Sequence, residues 1–325
     1  MKARVVRFHK AGGPEVMQIE TIDLPAPGPG EAVVRNTAIG LNFQDVYQRS
    51  GFYPMPLPSG IGTEAAGVVE QCGPGVTTCK VGDRVCYAGG PIGAYADLRV
   101  MPSDRLVKIP EGISNEQAAA ALLKGMTVEY LLNRTYALKA RQFAMMYAAA
   151  GGVGLLAGQW GKAIGAKMIG VASGPEKVKL GLANGYTYMI DRAKEKIVDR
   201  VKEITGGAML PVVYDSVGKA TFDDTLNSLA PRGFFVSFGA ASGAPPAVEA
   251  GLLQKLGSLY FTRPTLVTYC AKRPDLEASS TALFEMIKKG AIKVHISERY
   301  RMNDVMSAHN DLQSGRTVGS SIIIP

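Results

Sequence analysis

The sequence predicts an α/β protein in which a doubly wound parallel sheet is flanked by a mostly β region. Three observations carry this expectation. A strand, a glycine-rich turn, an apolar helix and a second strand follow one another between Phe143 and Ser173. Strand and helix patterns then keep alternating to Thr262, the order that builds a parallel sheet with helices on both faces. Before residue 123, by contrast, Pro25, Pro27, Pro29, Pro54, Pro56, Pro58 and many glycines break the chain into short β-like runs.

Those runs are Ala3 to Phe8, Ala32 to Ile39, Ala65 to Val69 and Ala94 to Val100. The first central strand is Phe143 to Tyr147, and the turn is Ala148-Ala149-Ala150-Gly151-Gly152-Val153-Gly154. A helix to about Gly165 follows, with Leu155, Leu156, Gln159, Ala163 and Ile164 at helical spacing, and then a strand from Lys167 to Ala172. Further strands are read at Tyr188 to Ile190, Pro211 to Tyr214, Phe234 to Phe238 and Leu259 to Phe261. Between them lie helices at Lys177 to Ala183, Ile197 to Ile204, Thr221 to Leu229 and Leu252 to Leu256. The remainder holds helices at Asp275 to Lys289 and Asn303 to Gln313 and a last strand, Ser320 to Ile324. That strand would be an odd seventh for the parallel sheet, so it is expected to return to the first region.

The glycine turn carries the chemistry. The backbone must swing out of the strand, admit a pyrophosphate and let the next helix pack closely on the sheet, and a side chain at any of the three glycines obstructs one of these. Gly151, Gly152 and Val153 then present the helix's unpaired N–H groups and positive dipole end to phosphate. This is a dinucleotide-binding unit. An acid about twenty residues on would grip both ribose hydroxyls, but the chain reads Gly170-Val171-Ala172-Ser173-Gly174-Pro175-Glu176-Lys177. Ser173 and Lys177 stand where a 2′-phosphate would sit, so NADPH is preferred over NADH and Glu176 is expected to point away. Ser173 and Glu176 also have capping-box spacing, a reading compatible with the first.

Composition is that of a soluble globular enzyme, with 325 residues, 46% hydrophobic and 20% charged. The uncharged run Gln142 to Gly161 is long enough to span a bilayer but holds five glycines in a strand–turn–helix pattern, so no membrane helix is expected. Met1 to Arg7 carries no export signal, which makes the chain cytoplasmic by default. Cys72, Cys79, Cys86 and Cys270 form no CxxC pair and read as reduced thiols. The net charge of +8 is scattered, without the basic run of a nucleic-acid binder.

Several motifs together resemble the zeta-crystallin-like quinone oxidoreductases, a zinc-free branch of the medium-chain dehydrogenase/reductase superfamily. They are Gly12-Gly13-Pro14-Glu15-Val16, Gly40-Leu41-Asn42-Phe43-Gln44-Asp45-Val46-Tyr47, Pro58 to Gly67, Ala148 to Gly154, Val213 to Gly218 and Thr262-Arg263-Pro264, nearly end to end. The resemblance implies a GroES-like catalytic domain (1–124 and 264–325), a Rossmann NADP-binding domain (125–263), a cofactor cleft between them and a homodimer. Zinc alcohol dehydrogenases of the wider superfamily place a cysteine where Asn42 stands, a histidine where Thr63 stands and a four-cysteine lobe near 85 to 110. Asparagine and threonine are poor zinc ligands, so no metal is expected. An unactivated alcohol generally needs a Lewis acid or strong proton relay; a quinone accepts electrons readily, and positioning does most of the work.

The same resemblance puts Asn42, Asp45, Tyr47 and Tyr53 in cleft-lining positions, with Asn42 and the tyrosines able to bond a quinone oxygen or the nicotinamide amide; turn chemistry is the plain alternative. It implies that Thr127 and Tyr130 contact nicotinamide and phosphate, and that Arg316 reaches the adenosine phosphate. Ser216, Phe238, Gly239, Phe261 and Arg263 end the later strands, where such sheets bind ligands. Arg192 replaces a tyrosine often found near the adenine phosphate, and could pair its charge or stack. His9, His295 and His309 match no triad or metal spacing, and Asp215 reads as a turn anchor.

The runner-up activity is NADPH-dependent reduction of an alkenal or enone double bond. A different class is also open, since relatives of this fold serve as lens proteins or bind AU-rich RNA. The edge from Leu259 to Thr262 is the expected dimer surface.

Overall fold

The computed structural model describes residues 1–325. The chain forms two compact units, one made of 1–124, 270–288 and 294–325, the other of 125–269 and 289–293. Its return to the first unit thus comes at Cys270, a few residues after the expected position 264, and a short second excursion at 289–293 was not foreseen.

In chain order the first stretch contains β1 (Lys2–Phe8), β2 (Met17–Asp23), β3 (Glu31–Gly40), α1 (Phe43–Ser50), β4 (Ser59–Gly60), β5 (Glu64–Cys72), β6 (Arg84–Ala88), β7 (Leu98–Pro102), β8 (Val107–Lys108) and α2 (Asn115–Glu129). The central stretch contains β9 (Phe143–Tyr147), α3 (Gly152–Ile164), β10 (Lys167–Ala172), α4 (Pro175–Ala183), β11 (Tyr188–Asp191), α5 (Ile197–Ile204) and β12 (Leu210–Asp215). It continues through α6 (Phe222–Ser228), β13 (Leu229–Ser237), α7 (Ala250–Lys255), β14 (Tyr260–Thr262) and α8 (Leu266–Tyr269). Then come α9 (Arg273–Lys288), β15 (Ile296–Arg301), α10 (Val305–Gln313) and β16 (Ser320–Ile324).

The second unit is the expected parallel sheet. Its six strands run in the order β11-β10-β9-β12-β13-β14, so the strand order reverses direction between β9 and β12. All five pairings are parallel, and Met145, Tyr147, Ile169, Val171, Val213 and Phe235 form the buried centre. These strands read as near-continuous apolar runs because helices cover both faces. In such sheets ligands bind beyond the carboxyl ends at the reversal point, here beyond Tyr147 and Asp215.

The first unit holds two sheets, β2-β1-β4 and a seven-stranded one ordered β15-β16-β3-β5-β6-β8, with β7 also on β3. β16 lies antiparallel to β3, pairing Ile322 with Gly40 and Ile323 with Ile39, so the last strand belongs to this unit. Five strands escaped the sequence reading: the two-residue β4 and β8, and the longer β2 (MQIETID), β6 (RVCYA) and β15 (ISERYR). β2 and β15 lie at sheet edges with mostly exposed or half-exposed side chains, so little hydrophobic alternation is imposed on them. The run expected at Ala94 to Val100 is a strand only from Leu98; Ala94 to Asp97 is held instead by loop hydrogen bonds such as Val6 N–H to the Tyr95 carbonyl. No helix is long and apolar enough to cross a membrane.

Candidate functional site

In the second unit the glycine turn opens α3 as the spacing predicts. Ala148 takes a left-handed φ of 51°, an uncommon conformation for a residue with a side chain, and its carbonyl accepts the Gly151 N–H. A Cβ on Gly154 would lie 2.3 Å from the Ala148 carbonyl oxygen and 2.6 Å from the Ala149 carbonyl carbon, so only glycine lets α3 approach β9 this closely. The thirteen-residue helix has no acidic residue in its first turn, and the half-buried Gly151, Gly152 and Val153 leave its leading N–H groups open to an anion. These residues fit a pyrophosphate.

Ser173, just after β10, and Glu176 are exposed, and Lys177 is half-buried. Ser173 does not cap α4; Gly174 does, at φ 89°, with its N–H donated to Asp191 Oδ1 at 2.9 Å. Asp191 also accepts the Ala193 N–H, and these backbone donors, Gly174 foremost, hold its carboxyl below the usual range. Asp191 therefore binds backbone rather than Arg192. The exposed Arg192 lines a cavity of about 390 Å³ with Glu195, Lys196, Asp199, Thr221 and Asp224.

At the strand ends, Asp215 is wholly buried and accepts from Val217 N–H, Gly218 N–H, Thr221 Oγ1 and Thr225 Oγ1, which makes it the turn anchor expected. Ser216 and Phe238 are half-buried just past β12 and β13. Gly239 packs on Ser216, where a Cβ would meet the Ser216 carbonyl oxygen at 2.4 Å. Arg263 folds back to donate to the Gly239 carbonyl at 2.7 Å and the Ser237 carbonyl at 3.2 Å. With Phe261, Ala240, Pro245 and Pro246 it lines a cavity of about 430 Å³ beyond the ends of β13 and β14. Thr127 is buried in α2, and Tyr130 is buried in a π-helical turn, its ring stacked on Tyr269 at 4.5 Å.

In the first unit α1 and the loop after it gather the other candidates. Asn42 caps α1 and is buried. Its backbone N–H donates to Asp45 Oδ2 at 2.9 Å, as a capping box requires. Tyr47 lies among Phe43, Phe52 and Tyr53 at ring-centroid distances of 5.0–5.3 Å, with Phe52 and Tyr53 exposed. Asp45, expected at the surface of the site, is instead fully buried. Tyr95 Oη donates to it at 2.9 Å and lies 3.1 Å from His309 Nε2. Burial pushes the Asp45 carboxyl up to about 7 and the His309 imidazole down to about 3. Arg316 is exposed and paired with Asp311.

The sequence reading missed Glu64 and Lys124. Glu64 is fully buried and accepts from Asn42 Nδ2 at 2.8 Å, Leu123 N–H at 2.6 Å and Lys124 Nζ at 3.3 Å. Glu64 lay inside a motif already singled out, but nothing in the sequence pointed from it to Lys124. No three His, Cys, Asp or Glu side chains gather where they could hold a metal ion.

Two family profiles match the chain, the alcohol dehydrogenase GroES-like domain over residues 28–111 and the zinc-binding dehydrogenase over 152–282. A quinone oxidoreductase of Pseudomonas aeruginosa is 49% identical over 99% of this chain and 100% of its own. The crystal structure of Escherichia coli quinone oxidoreductase complexed with NADPH superposes with a TM-score of 0.98 at 47% identity, covering 99% of this chain and 100% of that one. A 2-haloacrylate reductase of a Burkholderia species is 38% identical over 98% of both chains.

Proposed function

The chain belongs to the quinone oxidoreductase family of the medium-chain dehydrogenases/reductases, and on that premise we propose that it reduces a quinone with NADPH and without a metal ion. The observation that carries the cofactor half is the acid-free N-terminus of α3 behind Gly151, Gly152 and Gly154. NADPH, when bound, supplies the hydride. The α3 N–H groups hold its pyrophosphate, and Ser173, Lys177 and Arg192 are proposed to take its 2′-phosphate, a role Arg316 could share only by leaving Asp311. Thr127, Tyr130, Ser216, Phe238, Gly239, Phe261 and Arg263 are proposed to line the rest of the cofactor's path.

For the quinone half, Tyr47, Phe52 and Tyr53 offer adjacent aromatic faces on which a flat ring can stack. Asn42 and Thr63 stand where the zinc enzymes keep ligands, and neither an amide nor a hydroxyl holds zinc well. A quinone tolerates this because its carbonyls are conjugated and the reduced oxygen is a stabilised phenolate, so orientation replaces Lewis-acid help. Asp45 contributes by fixing the start of α1 rather than by touching substrate. We further propose a cytosolic homodimer.

The 2-haloacrylate reductase relative supports a second reading, reduction of an activated carbon–carbon double bond by the same donor. Stopped-flow oxidation of NADPH and NADH by chelator-treated protein, with 1,4-benzoquinone and a 2-haloacrylate offered separately, tests both. Rapid quinone turnover with NADPH is expected; turnover only on the haloacrylate would replace the first reading by the second.

A further inference from the structure

Asn42 has a single amide, and what it can offer a ligand depends on which atoms the protein already uses. Its Nδ2 carries two hydrogens. One is donated to Glu64 Oε2 at 2.8 Å and the other to the Gly40 carbonyl at 3.3 Å. Both partners are pure acceptors, so they settle the orientation of the amide and leave no donor over. Oδ1, with two lone pairs of which the capping box uses at most one, is the atom that remains.

Glu64 is held in turn. It is fully buried, its Oε1 accepts the Leu123 N–H, and the 7%-exposed side chain of Lys124 supplies the counter-charge. Gly40 makes room for it, since a Cβ there would fall 2.2 Å from Glu64 Oε2 and 2.5 Å from the Ala119 carbonyl oxygen. A buried ion pair is weak support for stability, because desolvation offsets the attraction, and its best-attested use is to specify one arrangement.

We propose that the Glu64–Lys124 pair is a positioning device that locks Asn42 as a hydrogen-bond acceptor, so that the ligand presented to it is a donor. This rests on the reductase reading above. It excludes Asn42 as the donor to a quinone carbonyl. The donor is either the carboxamide NH₂ of the cofactor's nicotinamide half or the hydroxyl of the hydroquinone formed, and the two are separable.

The experiment compares wild type with Glu64→Gln, Lys124→Met and Lys124→Arg. A glutamine can donate as well as accept, so the Asn42 amide is free to turn over. In E64Q and K124M, roughly a 3- to 10-fold loss of affinity is expected for whichever ligand is the donor, the size of one neutral hydrogen bond. K124R should restore it. NADPH affinity is read from nicotinamide fluorescence against the cofactor's adenosine half alone as control, and hydroquinone affinity from product inhibition. Weaker NADPH with an unchanged adenosine half supports the proposal and assigns the carboxamide. Weaker product inhibition alone supports it and assigns the hydroquinone. Unchanged affinity for both in the folded variants overturns it. If E64Q does not fold, the two lysine variants decide by the same criteria. Quinone-dependent NADPH oxidation by the wild type, measured alongside, shows that the reductase reading stands, so a failure then belongs to this proposal alone.

Discussion

At the scale of single residues, the buried chain Asp45–Tyr95–His309 has a pH signature. Asp45 Oδ1 and His309 Nδ1 have no protein partner, and burial favours the neutral form of each group. Between about pH 4 and pH 6.5, folded Asp45 keeps a proton that the unfolded chain has released, so its contribution to stability grows as pH falls. Folded His309 lacks a proton that the unfolded chain has taken up, so its contribution shrinks over the same range. The two oppose one another. Asp45→Asn keeps a carbonyl oxygen for Asn42 N–H and Tyr95 Oη but removes one of the two titrations. Its stability, followed by urea unfolding at several pH values, should therefore fall on acidification below about pH 6.5 by up to about 1.4 kcal/mol per unit relative to wild type. Parallel curves for the two proteins would refute the assignment. A further residue-scale expectation concerns Lys177. Its replacement by alanine should raise the KM for NADPH about tenfold or more, the loss of a charge-assisted bond, while NADH-supported turnover stays level. An equal effect on both cofactors would remove Lys177 from the 2′-phosphate.

At the scale of elements, the β9–α3–β10 unit was legible because its constraints are local. Gly154 must be small to let α3 reach the Ala148 carbonyl, and the glycine appears at the required place in the sequence. Gly154→Ala should lower stability by roughly 1–3 kcal/mol and weaken NADPH binding together, since the obstructing atoms are backbone and cannot swing aside. Calorimetry with and without NADPH would expose an unaffected unit. Elements set by distant partners were harder to read. β15 is a charged edge strand that exists because β16 pairs with it, and the fully buried Glu64 meets Lys124 sixty residues on. Asp45 misled for a related reason: a polar residue beside a candidate site looks functional in sequence, yet a capping box claims it. At the site, residue type alone gives candidates such as Asn42 and Thr63, whereas the burial that sets the surroundings of Asp45 and Glu64 has no local sequence signal.

At the scale of the whole molecule, β14 is the edge on which the proposed dimer would form. It is the sixth and last strand of the parallel sheet, so one side of its backbone has no strand partner in the protomer. It is only three residues long, and Tyr260 is 52% exposed while stacking on Phe234 at 4.5 Å. Such an edge invites pairing with a second chain. A two-fold axis through it would lay β14 antiparallel against its own copy, each residue meeting itself or a near neighbour. On so short a strand a charge introduced at any position lies close to its own copy across the axis, and like charges near one another destabilise a pair. Wild-type protein should therefore sediment at twice its chain mass of 34.4 kDa, and Tyr260→Lys should shift it toward the single-chain mass without abolishing NADPH binding. A wild-type chain that sediments alone at micromolar concentration would remove the dimer, and a Tyr260→Lys variant still at the double mass would move the interface away from β14.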